Sequence, residues 1–165
     1  MKILIFICFL AISSSLFSQN GNGSGNDFTV VVTGGDWVPI ILEQDITAAG
    51  NDYNQDYNSI SKQTTITITS TFQNRQFIVS IYKVDNIPSW PSGLDLQITR
   101  TYSSNLTAPQ PPPQPIPDYS GPLSFSIGGS KTNQMSFEYK IRGISVLLPV
   151  AFYTTTIFFT VTMMQ

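Results

Sequence analysis

Between Tyr153 and Met163 the chain repeats with a period of two. Tyr153, Thr155, Ile157, Phe159, Val161 and Met163 form one face, and Thr154, Thr156, Phe158, Thr160 and Thr162 the other. Nearly every residue is β-branched or aromatic, so the pattern predicts a long, half-buried strand. One strand buries such a face only with neighbours beside it and a second layer above it. The chain upstream has the sequence for both.

Phe28 to Thr33 is a short apolar run stopped by Gly34-Gly35. Trp37 to Leu42 is another, whose Pro39 suits an edge or a bulge. Thr64 to Phe72 alternates, with Ile66, Ile68 and Phe72 expected inward and Thr65, Thr67, Thr69 and Thr71 outward. Phe77 to Val84 is apolar at Phe77, Val79 and Ile81, and the turn at Gln73-Asn74-Arg75 predicts a hairpin between these two strands. Leu94 to Thr101 follows a proline-bracketed loop around Trp90. Leu123, Phe125 and Ile127 run into Gly128-Gly129. Met135, Phe137, Tyr139 and Ile141 alternate with polar residues up to Gly143, and Ile144 to Leu148 begins a further strand. Residues 43–59 are polar and read as a surface loop. The proline-rich loop 107–122 suits polyproline II, either as a stiff connector or as a ligand for a partner's aromatic groove. No segment has a helical period. Short strands between turn signals predict an all-β fold, an immunoglobulin-like antiparallel β-sandwich.

The 165 residues suffice for one domain. Residues 1–19 read as a signal peptide: Lys2, an apolar run from Ile3 to Ile12, then Ser13, Ser14, Ser15 and Ser18, with the cut expected between Ser18 and Gln19 and Ser15 or Leu16 as nearby alternatives. Residues 20–26, rich in Gly and Asn, read as a flexible leader, and 27–165 as the sandwich domain. The expected location is therefore the periplasm, cell surface or exterior of a bacterium, with no transmembrane anchor.

Cys8, the only cysteine, lies in the apolar run, and histidine is absent, so disulfides and histidine general-base catalysis are excluded from the mature chain. Removing Lys2 from the eight basic residues leaves seven against ten acidic ones. With no basic stripe, nucleic acid is not an expected partner. No nucleophile elbow is present, and Glu43 and Glu138 are the only glutamates, so no catalytic residues are assigned.

Two loops have candidate binding chemistry. Asp52, Asn54, Asp56 and Asn58 alternate as the first oxygen ligands of a calcium loop do, because that spacing lets short side chains converge on one ion. Tyr57 then stands where such a loop needs glycine, and Gln63 where it needs a bidentate glutamate. The same residues better suit a solvated, turn-rich loop; calcium at a site unlike the EF-hand is the candidate ligand and no cofactor is assigned. Tyr53, Tyr57 and Trp90 lie in connections, where exposed rings could stack on glycans. Trp90, between Pro88 and Pro91, better suits a plug over the open end of a sandwich.

Ile144-Ser145-Val146-Leu147-Leu148-Pro149, followed by Tyr153-Thr154-Thr155-Thr156-Ile157 and the alternating tail, resembles the closing strands of bacterial fimbrial subunits of the spore-coat-U-like class. The chain departs from that class in lacking cysteines beyond Cys8 and in ending Met163-Met164-Gln165. The resemblance implies an incomplete sandwich, completed when a neighbouring subunit donates a strand. Phe28, Val30 and Val32, behind a Gly/Asn leader, have the form of such a donor, or of the first strand of a complete sandwich. The expectation is a secreted, non-enzymatic structural or adhesive subunit whose partners are other surface subunits or copies of itself. The alternative is a carbohydrate-binding module using loop aromatics.

Overall fold

The computed structural model describes residues 12–18, 28–34, 36–40, 56–86, 90–91, 93–104, 110–145 and 153–164. Its strands are β1 (Ile12–Ser18), β2 (Phe28–Gly34), β3 (Tyr57–Asn58), β4 (Thr64–Ser70), β5 (Gln76–Asp85), β6 (Asp95–Ser103), β7 (Gln114–Pro115), β8 (Leu123–Gly128), β9 (Thr132–Arg142) and β10 (Thr155–Met163). They form two sheets. One is four-stranded in the order β1-β10-β5-β8; the other runs β2-β4-β9-β6-β7, with β3 also paired to β9. All pairings between strands are antiparallel except β1 on β10. The protein is an all-β sandwich, and no helix occurs among the described residues.

The inward faces follow the period of two. Ile157, Phe159 and Val161 of β10 are buried, as are Phe77, Val79 and Ile81 of β5 and Ile66 and Ile68 of β4. Phe137 of β9 joins the layers: its ring lies 5.5 Å from that of Phe125 on β8 and 5.7 Å from that of Phe159 on β10. Tyr139 is buried as well, and its hydroxyl shares a 2.7 Å hydrogen bond with Thr64 Oγ1. Burial pushes the phenol well above its ordinary pKa, with that hydrogen bond acting in the opposite direction.

The structure departs from expectation at several places. The turn after β4 is real, with Asn74 at positive φ, but it does not make a hairpin: β4 and β5 belong to different sheets. A hairpin would place both apolar faces on one side of a single sheet. Crossing between layers sets Ile66 and Ile68 in the same core as Phe77 and Val79, with neither face left to solvent. Phe72, expected inward, lies beyond the end of β4 at 50% exposure, with the Arg75 guanidinium 5.4 Å from its ring.

Residues 37–40 are not a strand, although Trp37 is buried and stacks near Tyr139. Ile144 and Ser145 are likewise outside any strand, and the rest of that expected strand lies outside the described residues. Gly143 follows β9 at φ 79°, where a Cβ would collide with the Gly93 carbonyl oxygen.

The proline-rich loop does hold strand structure. Gln114–Pro115 is an edge strand on β6, where the missing N–H of Pro115 is tolerated. The Ile116 N–H donates to Leu96 O, and Pro117 O accepts from the Lys83 N–H of the other sheet. This short segment therefore ties the two layers together.

Phe137→Ala removes the ring shared by both sheets and is expected to cost about 3–5 kcal/mol. Phe72→Ala, at an exposed turn, is expected to cost less than about 1 kcal/mol. Denaturant midpoints of the two variants measure the difference.

Candidate functional site

β10 is the longest strictly alternating strand in the four-stranded sheet, and how its two edges are paired decides whether that sheet is complete. One edge carries β5 over the full length of β10, from Thr155 opposite Asp85 to Met163 opposite Phe77. The other edge carries β1, parallel, with Ile12 opposite Thr155, Ser14 opposite Ile157, Leu16 opposite Phe159 and Ser18 opposite Val161. The segment expected to lie outside the fold as part of a signal peptide thus supplies a strand. The physical demand is clear. The positions on β10 facing β1 include the fully buried Ile157 and Phe159, and backbone N–H and C=O groups beside a core need partners.

Sequence reasoning missed this strand because its own pattern is weak. Ile12-Ser13-Ser14-Ser15-Leu16-Phe17-Ser18 has serine on both alternating sets, so neither set is a clean apolar face. The small residues that suit a cleavage site hid the strand. Its only signal lay elsewhere, in the length of β10 and its need for a second neighbour.

The expected donor strand is used within its own chain. Phe28 to Gly34 pairs antiparallel with β4, from Phe28 opposite Ser70 to Gly34 opposite Thr64. β2 is the edge of its sheet; Phe28, Val30 and Val32 are only half-buried against the core, and Val31 is exposed. The Phe28 ring meets the Phe77 ring edge-on at 5.2 Å.

The candidate calcium loop is brought together only in part. Asp52 and Asn54 lie outside the described residues. Asn58 is in β3, opposite Lys140 of β9. Asp56 Oδ2 lies 2.7 Å from Lys140 Nζ, and its Oδ1 accepts a hydrogen bond from Arg142 Nε at 3.1 Å. The Lys140 hydrogen bond is the main reason the Asp56 carboxyl is held below its ordinary pKa; the charges of Lys140 and Arg142 add to it, and desolvation opposes it. A carboxylate already flanked by two cations is a poor ligand for a third. Among the described residues no group of three or more acidic, histidine or cysteine side chains gathers around a point that could hold a metal. Beside this pair lies an open groove of about 340 Å³, lined by Asn58, Thr99, Gln110, Pro111, Glu138 and Lys140 among others.

Of the aromatic candidates, Tyr57 is buried and Trp90 half-buried. Tyr57, expected in an exposed loop, is 8% exposed and belongs to the core, because β3 pairs with β9 and turns the ring inward. Trp90 is half-buried against the core; its indole N–H donates to Thr154 O at 3.2 Å, and Lys83 Nζ stands 5.7 Å from its ring. Tyr53 lies outside the described residues. Among the described residues the aromatic ring most open to solvent is Tyr119, 73% exposed, which meets Tyr82 edge-on. Tyr82 in turn stacks on its cross-strand partner Phe158, the ordinary packing of aromatic neighbours in a sheet.

Comparison with protein-family models, with curated proteins and with solved structures found no match.

Asp56→Asn is expected to lower stability by less than about 1 kcal/mol at pH 7, since the cluster is partly exposed. A carboxyl with a depressed folded pKa stabilises above its unfolded value of about 3.9, and that contribution disappears as pH falls through the folded value. The gap between wild type and variant should therefore close below about pH 4, as urea midpoints measured across pH will show.

Proposed function

We propose that this chain is a secreted, non-enzymatic structural or adhesive subunit of a bacterial cell surface, an immunoglobulin-like sandwich that assembles by strand addition in the manner of fimbrial subunits. The observation that carries this proposal is the pairing of β1 with β10. The strand that completes the four-stranded sheet comes from the segment whose sequence has the form of a removable leader. Without it, the nine residues of β10 become a sheet edge beside buried Ile157, Phe159 and Val161. Such an edge is a template for an extended segment of another chain, with main-chain hydrogen bonds giving affinity and the alternate inward positions giving register.

The donor best suited to it is Phe28–Gly34 of a neighbouring copy. That segment is an edge strand, half-buried and, among the described residues, paired on one side only, so it leaves its own sheet at less cost than an interior strand would. The carbohydrate alternative has less support, because Tyr57 is a core residue and Trp90 is engaged with Thr154 and Lys83, while Tyr53 lies outside the described residues.

The test is the solution mass of the mature chain, Gln19 to Gln165, with and without residues 20–35. Concentration-dependent polymers from the longer form, together with a folded monomer from the shorter one, are the expected result. Folded monomers from both would refute assembly through this strand.

A further inference from the structure

We propose that, while the leader is attached, Ile12–Ser18 closes the β10 edge in cis, so that the chain becomes competent for strand addition only after the Ser18–Gln19 peptide bond is hydrolysed. This rests on the strand-addition function proposed above, and adds to it a device that holds assembly off until the leader is removed.

Three observations support it. The first is coverage. β1 pairs with residues 155–161, most of the length of β10, so an incoming strand and β1 would claim the same hydrogen-bonding groups. The second is the position of the cut. The expected junction follows Ser18, the last residue of β1, so hydrolysis separates the whole strand from the domain. Water adds across the bond, leaving a carboxylate on Ser18 and an amino group on Gln19.

The third is the balance of affinity. Residues 19–27 join β1 to β2, nine residues, counting between Ser18 and Phe28. A tether that short holds β1 near its edge at an effective concentration on the order of millimolar. Four of the seven residues of β1 are serine, and parallel pairing is slightly weaker per residue than antiparallel. A strand of that composition stays in place while tethered and is easily displaced once free. Phe28–Gly34, with Phe28, Val30, Val31 and Val32, offers more apolar surface over the same length. Cleavage thus exchanges a weak intramolecular partner for a stronger intermolecular one, a proteolytic switch acting on a single sheet edge.

Leu16→Pro in the full chain tests the plug without altering any residue of the mature domain. Proline removes a ladder N–H and disfavours strand pairing. Amide hydrogen exchange of the two full-length chains, in the same mild detergent, should show β10 protected at consecutive amides in the unmodified protein. In the Leu16→Pro chain alternate β10 amides should exchange at least about tenfold faster, with β9 still protected. A synthetic peptide of residues 12–18, added at millimolar concentration, should restore the protection. Equal exchange in both chains would overturn the plug. Loss of protection at β9 as well would also overturn it, because β1 would then be an integral strand of the domain. Solution mass separates this from the proposed function: freed β10 amides in a Leu16→Pro chain that stays monomeric at every concentration would keep the plug and refute strand addition.

Discussion

The sandwich depends on satisfying both edges of β10 while its inward face is buried. Ile157 and Phe159 are fully buried, Val161 nearly so, and Phe159 reaches across the core to Phe137 of the opposite sheet. A strand this deep in the core cannot leave one row of N–H and C=O groups beside apolar neighbours without a partner. β5 supplies one row and β1 the other. The second partner is a serine-rich segment in parallel register, the weaker of the two pairings, and the place where the fold is easiest to change.

Elsewhere the layers are held by crossings rather than by hairpins. The chain passes from one sheet to the other between β1 and β2, β4 and β5, β5 and β6, β7 and β8, β8 and β9, and β9 and β10; the crossing from β8 to β9 accompanies the contact of the Phe125 and Phe137 rings. The segment after the triple proline adds a hydrogen-bonded tie, reaching Leu96 in one sheet and Lys83 in the other. Outward positions are mostly Thr and Ser, with few charges. The described ion pairs sit at the margins, around Asp56 and around Lys83, which contacts both Asp85 and Asp118. Disulfides have no part, as the chain contains a single cysteine.

The all-β class was legible in the sequence because period-two burial is a property of each strand alone. Ile66 and Ile68, Phe77 to Ile81, Met135 to Ile141 and Ile157 to Val161 all turn inward as their alternation predicts. Pairing was less legible, since a turn signal such as Gln73-Asn74-Arg75 marks a reversal without saying whether the next strand joins the same sheet. The aromatic candidates failed for a related reason. Tyr57 sits in a polar stretch, and only its two-residue pairing with β9, distant in sequence, turns it inward. The β10 edge was visible in part: the long alternating tail announced a strand needing neighbours, while its partner carried no strand pattern of its own.

The most direct measurement is an NMR determination of the contacts between residues 12–18 and 155–161 in the full chain. Parallel pairing predicts nuclear Overhauser contacts placing Ser14 beside Ile157 and Leu16 beside Phe159, with β5 on the other side of β10. Contacts from β10 to β5 alone, with none to residues 12–18 in the folded full chain, would contradict a four-stranded sheet closed by residues 12–18.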